Sequence, residues 1–94
     1  MAIIRINNFE AKVGDGDALF EKIKALVPMI SEFEGCTSCQ AVRGQENTNQ
    51  IVIIEGWETI EAHKASLASV PPETFAPVMA LLAGPPDGAY YTDA

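Results

Sequence analysis

The chain has one tryptophan and one histidine, Trp57 and His63, which lie six positions apart. Glu55 precedes Trp57 by two positions, so the two side chains share a face if this segment is a strand. An indole offers a flat apolar wall and an N–H donor, histidine titrates near neutral pH, and a buried carboxyl group can hold a proton. These residue types predict a pocket for an aromatic compound in which a proton can be moved.

Other roles are open to each of these residues. A lone tryptophan often belongs to the core, and a histidine near a helix start often bonds only solvent or its own backbone. Glu55 could pair across strands with Arg5 or Arg43. Asn7 in the first apolar segment could face either way and, if it faces inward, could donate a hydrogen bond to an oxyanion.

The elements that must position these residues follow from apolar spacing. Strands are predicted at residues 3–9, 36–43, 50–57 and 89–92. A helix with Pro28 inside it should run from the acidic turn near residue 17 to Gly35, and a second helical part should begin at Thr59. Residues 70–72, Val-Pro-Pro, break that second part in two and offer an entrance to a pocket. The order β-α-β-β-α-β predicts an α+β, ferredoxin-like fold with one four-stranded antiparallel sheet.

In the third strand both faces are apolar. Ile51 and Ile53 lie on one face and Val52 and Ile54 on the other, and a chain of 94 residues can hardly cover a sheet twice. We therefore expect a homodimer in which two open sheet faces meet and close a barrel-like assembly. The last strand carries two neighbouring tyrosines, one of which must face the interior, where packing or dimer contact is the expected role.

Composition excludes several classes of partner. The net charge of −7 argues against nucleic acid and against an anionic membrane surface. We expect residues 1–94 to form one domain in the cytoplasm, because the chain has neither a membrane-spanning apolar run nor a signal-peptide pattern. Cys36 and Cys39 fall in a predicted strand, where positions three apart face opposite sides, so we expect neither a redox pair nor a metal site.

Short sequence landmarks along the whole chain indicate a family. They are Phe33-Glu-Gly-Cys36 before the second strand, Trp57-Glu58 at the end of the third, Leu67-Ala-Ser69, and Gly84-Pro-Pro86 before the last strand. With these landmarks the chain resembles the antibiotic biosynthesis monooxygenase (ABM) family of dimeric α+β-barrel proteins. The family includes cofactor-free oxygenases of anthrones and quinols, haem-degrading enzymes and a sugar-phosphate isomerase, so the resemblance implies a fold more firmly than a reaction.

The resemblance implies a set of site residues. Anthrone oxygenases of the family use an Asn, a Trp and a Tyr, which correspond here to Ile53, Trp57 and His63. In the haem-degrading members, a first-strand Asn corresponds to Asn7. Their helix Trp and iron-ligating His fall at Ser66 and about Ala76, so haem degradation is not expected.

The leading hypothesis is a cofactor-independent monooxygenase that takes a proton from a quinol- or anthrone-like aromatic and lets the anion react with O2. In such a reaction we expect His63 to be the base, because histidine titrates near neutral pH, with Trp57 as a stacking wall and Asn7 as a donor to the oxyanion. We expect Ile53, Glu55, Ser66 and Leu67 to line the substrate pocket. The alternative is a non-oxidative small-ligand binder or an isomerase of the same dimeric fold, which Arg5 and Arg43 in one cavity would favour.

Overall fold

The computed structural model describes residues 2–93 of the chain. Its elements are β1 (Ile3–Glu10), α1 (Gly16–Ser31), β2 (Cys36–Arg43), β3 (Gln50–Trp57), α2 (Ile60–Ser69), a 3-10 turn (Pro72–Thr74), α3 (Ala76–Met79) and β4 (Asp87–Thr92). The strands form one antiparallel sheet in the order β2-β3-β1-β4. The predicted α+β, ferredoxin-like arrangement is confirmed.

Local sequence explains where the elements flanking the tryptophan–histidine pair begin and end. Thr59 caps α2, because its Oγ1 accepts a hydrogen bond from the backbone N–H of Ala62 at 3.0 Å. The helix ends at Ser69 because Val70 precedes a proline and is extended, with φ −100° and ψ 129°. Thus α2 is a short helix of 10 residues held directly after β3.

Three boundaries or orientations differ from the sequence prediction. α1 ends at Ser31, before Gly35, which instead takes a φ of +87° in the connection to β2. β4 begins at Asp87, two residues before the predicted start. In α2 the fully buried residues are His63 and Ser66, whereas Lys64 is exposed and Leu67 is 50% exposed. The spacing in the sequence predicts Ile60, His63, Lys64 and Leu67 on one side of this helix, whereas the side that faces the sheet carries the polar residues His63 and Ser66.

The two cysteines also differ from the prediction, because a register shift between Cys36 and Ser38 places an irregularity in β2. Cys36 is opposite Trp57 and Cys39 is opposite Glu55, so both cysteines lie on the face that the helices cover. Both are free thiols. Burial raises the pKa of Cys39 to about 12, and burial also raises the pKa of Cys36, which disfavours the reactive thiolate.

The core lies between the helices and one face of the sheet. Its buried apolar residues are Ala11, Leu19, Ile23, Ile30, Ile51, Ile53, Trp57, Val78 and Leu82. Alternate residues of β3 supply three of them, and Glu55 is on the same face and equally hidden, with 4% exposure. We call this the inner face of the sheet.

The opposite, outer face is aliphatic and only partly covered. Ile4, Ile6, Val52 and Ile54 are half-buried in the single chain, and Tyr91 is 51% exposed. The pairing of Ile6 with Ile54 and of Ile4 with Tyr91 places these side chains beside one another across β1, β3 and β4. Such a continuous apolar patch is typical of a surface that contacts a partner.

No helix within residues 2–93 is long and apolar enough to cross a membrane.

Candidate functional site

A cavity of about 430 Å³ lies between the inner face of the sheet and the helices. Its walls are mainly apolar and come from α1, from α3 and from the segment after α2, including Ile23, Leu26, Ile30, Phe75, Val78 and Met79. Val70 and Pro72, in the break that the sequence predicted, also line it. A volume of this size suits a small organic ligand, for which pockets of roughly 300–1,000 Å³ are usual.

Polar groups meet at one end of this cavity because of the strand register. Glu55 on β3 pairs with Arg5 on β1, and Arg5 pairs with Tyr90 on β4. Paired residues of neighbouring antiparallel strands point to the same side, so these three form a row across the inner face. Asn7 is next to this row, opposite Ile53 and Gly88.

The Glu55 carboxyl group is the most connected member of the row. Its Oε1 accepts a hydrogen bond from the Trp57 indole N–H at 2.8 Å, and its Oε2 accepts one from the Asn7 amide at 3.5 Å. Burial raises the pKa of Glu55, and the Trp57 hydrogen bond, the Arg5 charge and the Asn7 hydrogen bond oppose that rise. Glu55 is thus a stronger base than an exposed carboxylate and can hold a proton.

The imidazole of His63 is 3% exposed and lies between Tyr90 and Glu55. Its Nδ1 is 2.7 Å from the Tyr90 hydroxyl oxygen, and its Nε2 is 3.8 Å from Oε1 of Glu55. Burial, and next the positive charge of Arg5, lower the pKa of His63 to about 4. The ring is therefore neutral at neutral pH, and it is a weaker base than an ordinary histidine.

Trp57 and Asn7 are engaged within the protein. The indole is 1% exposed, stands edge-on to the His63 ring at 5.2 Å, and gives its N–H to Glu55. Asn7 accepts a hydrogen bond from Arg5 Nε at 3.1 Å and donates one to Glu55. In this arrangement Trp57 contributes a wall, and Asn7 joins Arg5 to Glu55.

The remaining predicted pocket residues also line the cavity. Ile53 is buried beneath it, and Leu67 lies at its more exposed side. Ser66 is buried, and its hydroxyl donates to the backbone carbonyl of His63 at 2.6 Å. Arg43 lies elsewhere, where Nη1 contacts Asp17 Oδ1 at 2.7 Å.

Sequence reasoning did not include two residues of the polar end. The sequence predicts Arg5 only as a partner for Glu55 or as a sign of an isomerase, and Tyr90 only as a residue of packing or dimer contact. The signal that could have found them is alternation, since Arg5 and Asn7 share a face of β1 and Tyr90 sits opposite Arg5. The register that sets this pairing cannot be predicted from the sequence of either strand alone.

Among residues 2–93, no three His, Cys, Asp or Glu side chains are grouped closely enough to hold a metal ion.

Comparisons with known proteins place the chain in a family. The sequence model described as antibiotic biosynthesis monooxygenase matches residues 2–77. A search of curated proteins gave no match.

Solved structures share the whole fold at low identity. A conserved protein from Methanosarcina mazei Go1 is 18% identical, with a TM-score of 0.87 over 100% of this chain and 94% of that one. Rv0793 from Mycobacterium tuberculosis is 18% identical, with a TM-score of 0.83 over 100% and 96% of the two chains. SnoaB, a cofactor-independent oxygenase from Streptomyces nogalater, is 17% identical, with a TM-score of 0.79 over 98% and 92%.

Proposed function

Because the chain belongs to the antibiotic biosynthesis monooxygenase family, we propose that it is a cofactor-independent monooxygenase of quinol- or anthrone-like aromatic compounds. The observation that carries the proposal is the buried pair of Glu55 and His63 at one end of a mainly apolar cavity, with the half-buried Tyr90 hydroxyl against His63 Nδ1. The likeness to SnoaB supports the fold on which such a reaction can be built.

The reaction needs a base, a dry aromatic pocket and a stabilised oxyanion. In an anthrone, a CH2 carbon gives a proton to the base and leaves an enolate. The enolate transfers one electron to O2, and the radical pair joins in a C–O bond. The peroxide then takes a proton and loses water, so that CH2 and O2 become C=O and H2O. The substrate supplies the electrons, and the protein supplies proton transfer and charge stabilisation.

We assign proton abstraction to Glu55 rather than to His63, the base expected from the sequence. The raised pKa of Glu55 makes its carboxylate the stronger base, whereas the low pKa of His63 suits a neutral ring that hydrogen-bonds the substrate oxygen. Trp57 provides the wall against which the aromatic lies. Asn7 holds the side chains of Glu55 and Arg5 in place by one hydrogen bond to each. Ile53, Ser66 and Leu67 complete the pocket.

We also propose that the protein is a homodimer joined through the outer face. The half-buried aliphatic row of β1 and β3 supports this assembly, because covering such a patch in two copies buries on the order of 1,000 Å². The free thiols of Cys36 and Cys39 support the further proposal that the protein works in a reducing, cytoplasmic compartment.

The isomerase alternative is less well supported. A sugar phosphate calls for several basic groups, and Arg5 is the one Lys or Arg among the cavity-lining residues that the structure describes. Arg43, the second residue on which that alternative depended, is paired with Asp17 outside the cavity.

The test is oxygen uptake by chelator-treated protein with a panel of quinols and anthrones, measured against a protein-free blank. We expect saturable uptake that falls at least about 100-fold in His63→Ala and in Trp57→Ala. Glu58→Gln, which removes an exposed carboxylate next to Trp57, is the matched control and should keep full activity. Uptake no faster than the blank across the panel would overturn the proposal.

A further inference from the structure

Arg5 brings a positive charge to a cavity whose other walls are mainly apolar. It is the single Lys or Arg among the described cavity-lining residues. Glu55 and Tyr90 flank it on the neighbouring strands. Charged groups are rarely placed beside apolar cavities without a partner, because removing a charge from water is costly unless another charge or dipole replaces the water.

The guanidinium group is held in a fixed orientation. Its Nε donates to Asn7 Oδ1 at 3.1 Å, and its central carbon lies 4.6 Å from the centre of the Tyr90 ring. Gly88 makes this position possible, because a Cβ there would collide with the Arg5 guanidinium and with the Asn7 amide oxygen. A side chain held from three sides is pre-organised for a ligand.

The charge of Arg5 is not matched by a close carboxylate. Within residues 2–93, no carboxylate oxygen lies within 4.0 Å of a guanidinium nitrogen of Arg5. Glu55 is near enough for the Arg5 charge to influence its pKa, but its two oxygens are bonded to Trp57 and Asn7. Nη1 and Nη2 make no hydrogen bond with a described residue, and they form the fork that fits an ionised oxygen.

We propose that Arg5 is an anion-binding residue and that the cavity takes aromatic ligands that carry an ionised oxygen, a carboxylate or a phenolate, at the Arg5 end. The ring system of the ligand lies against the apolar walls from α1 and α3. The inference deepens the proposed function and rests on it in one respect, since the enolate formed by proton abstraction is such an anion.

The protonation state of Glu55 determines how strongly the site around Arg5 attracts an anionic ligand. An ionised Glu55 repels an anionic ligand, whereas a protonated Glu55 does not. The other titratable groups around Arg5 are His63 on α2, Tyr90 on β4 and, beyond Glu55, Cys39 on β2. Preference for an anion should therefore decrease as pH rises and Glu55 ionises, and the Glu55→Gln variant should show a larger and flatter preference.

Isothermal titration calorimetry with 2-naphthoate and its uncharged isostere 2-naphthamide tests the inference without any turnover. We expect the wild-type protein to bind the carboxylate at least about tenfold more tightly, the effect of one hydrogen bond to a charged group. The Arg5→Gln variant should bind the two probes equally. Arg43→Gln, which removes the other strand arginine outside the cavity, should keep the wild-type preference.

A second pair of probes, 4-nitrophenolate and 4-nitroanisole, tells a phenolate site from a carboxylate site. Equal binding of the charged and uncharged members of both pairs by wild-type protein, or no binding of any probe, would overturn the inference. A preference that survives in Arg5→Gln would also overturn it. The wild-type comparison does not depend on a variant folding, and probe binding without oxygen uptake would separate this inference from the proposed reaction.

Discussion

The two faces of the sheet are made from the same strands but differ in the side chains that they carry. On the inner face, Glu55, Arg5 and Tyr90 form a polar row in which Glu55 is buried and the other two are half-buried. On the outer face, the neighbouring residues Ile54 and Ile6 are aliphatic and remain half-exposed in the single chain. The inner face therefore combines apolar core residues with polar groups, whereas the more accessible outer face is aliphatic.

The polar row has a consequence for the stability of so small a chain. Buried polar groups are favourable only when they are satisfied, and no buried side-chain nitrogen or oxygen among the described residues lacks a hydrogen-bond partner. The inner face gives up apolar contacts to build the row. We propose that the outer face restores them by contacting a second copy, at about 25 cal/mol per Å² of apolar surface.

The largest expected effect comes from a charge introduced on the outer face. We expect Ile54→Asp to dissociate the dimer and to lower the free energy of unfolding by about 3 kcal/mol or more, because the interface would bury an unpaired carboxylate. Sedimentation gives the mass and urea denaturation the stability. Val13→Asp is the control, since Val13 is 96% exposed. An Ile54→Asp protein with the mass of the wild-type dimer would contradict the proposed interface.

The inner face is tested next by Glu55→Gln. The amide oxygen can still accept the Trp57 N–H, so the fold should persist, whereas the side chain can no longer take a proton. We expect turnover to fall at least about 100-fold, or about 2.7 kcal/mol in activation free energy, with little change in melting temperature. The measurement is initial oxygen uptake at saturating substrate. Turnover within a few-fold of wild type would remove Glu55 from the role of base.

Acid should weaken the fold through His63. Its pKa is about 4 when folded and about 6.5 when unfolded, so the unfolded chain binds more protons between these values. The contribution of neutral His63 is complete above about pH 6.5 and is lost as pH falls towards 4, on the order of 3 kcal/mol. Glu55, whose pKa is raised, changes stability in the opposite direction.

Urea denaturation of wild type and of His63→Gln between pH 4 and 7 isolates this contribution. The difference in unfolding free energy between the two proteins should shrink as the pH falls. A difference that stays constant across the range would show that His63 does not titrate differently in the folded state.

The smallest expected effect comes from two adjacent tyrosines that lie on opposite faces. Tyr90→Phe removes the hydroxyl that contacts His63 Nδ1 at 2.7 Å, and Tyr91→Phe removes an exposed one. We expect Tyr90→Phe to lower stability by about 1 kcal/mol and to reduce turnover by about tenfold, with a shifted pH profile of turnover. Tyr91→Phe should behave as wild type, and equal behaviour of the two variants would contradict a specific role for Tyr90.

Much of the fold could be predicted from sequence because its signals are local. The bounds of β3 follow from a short apolar run, and those of β2 from the glycines on either side of it, Gly35 and Gly44. Thr59 and the prolines after Val70 set the ends of α2. Trp57 and His63 can be predicted as site residues because the chain has one tryptophan and one histidine, six positions apart.

The polar row could not be predicted to the same degree, because it depends on the pairing of strands far apart in sequence. Arg5 meets Tyr90 only when β1 and β4 pair in one register, and a slip of one residue would turn Tyr91 inward. The irregularity in β2 is a further case, because it brings Cys36 and Cys39 to one face against simple alternation.

The most direct test of the central claim is a single turnover of metal-free protein with an anthrone under ¹⁸O₂, followed by mass spectrometry of the quinone. Direct reaction of the bound anion with oxygen predicts one ¹⁸O atom in the new carbonyl, formed faster than in the blank and lost in Glu55→Gln. A product without label, or label that appears only when a metal or flavin is added, would contradict cofactor-independent oxygenation at this site.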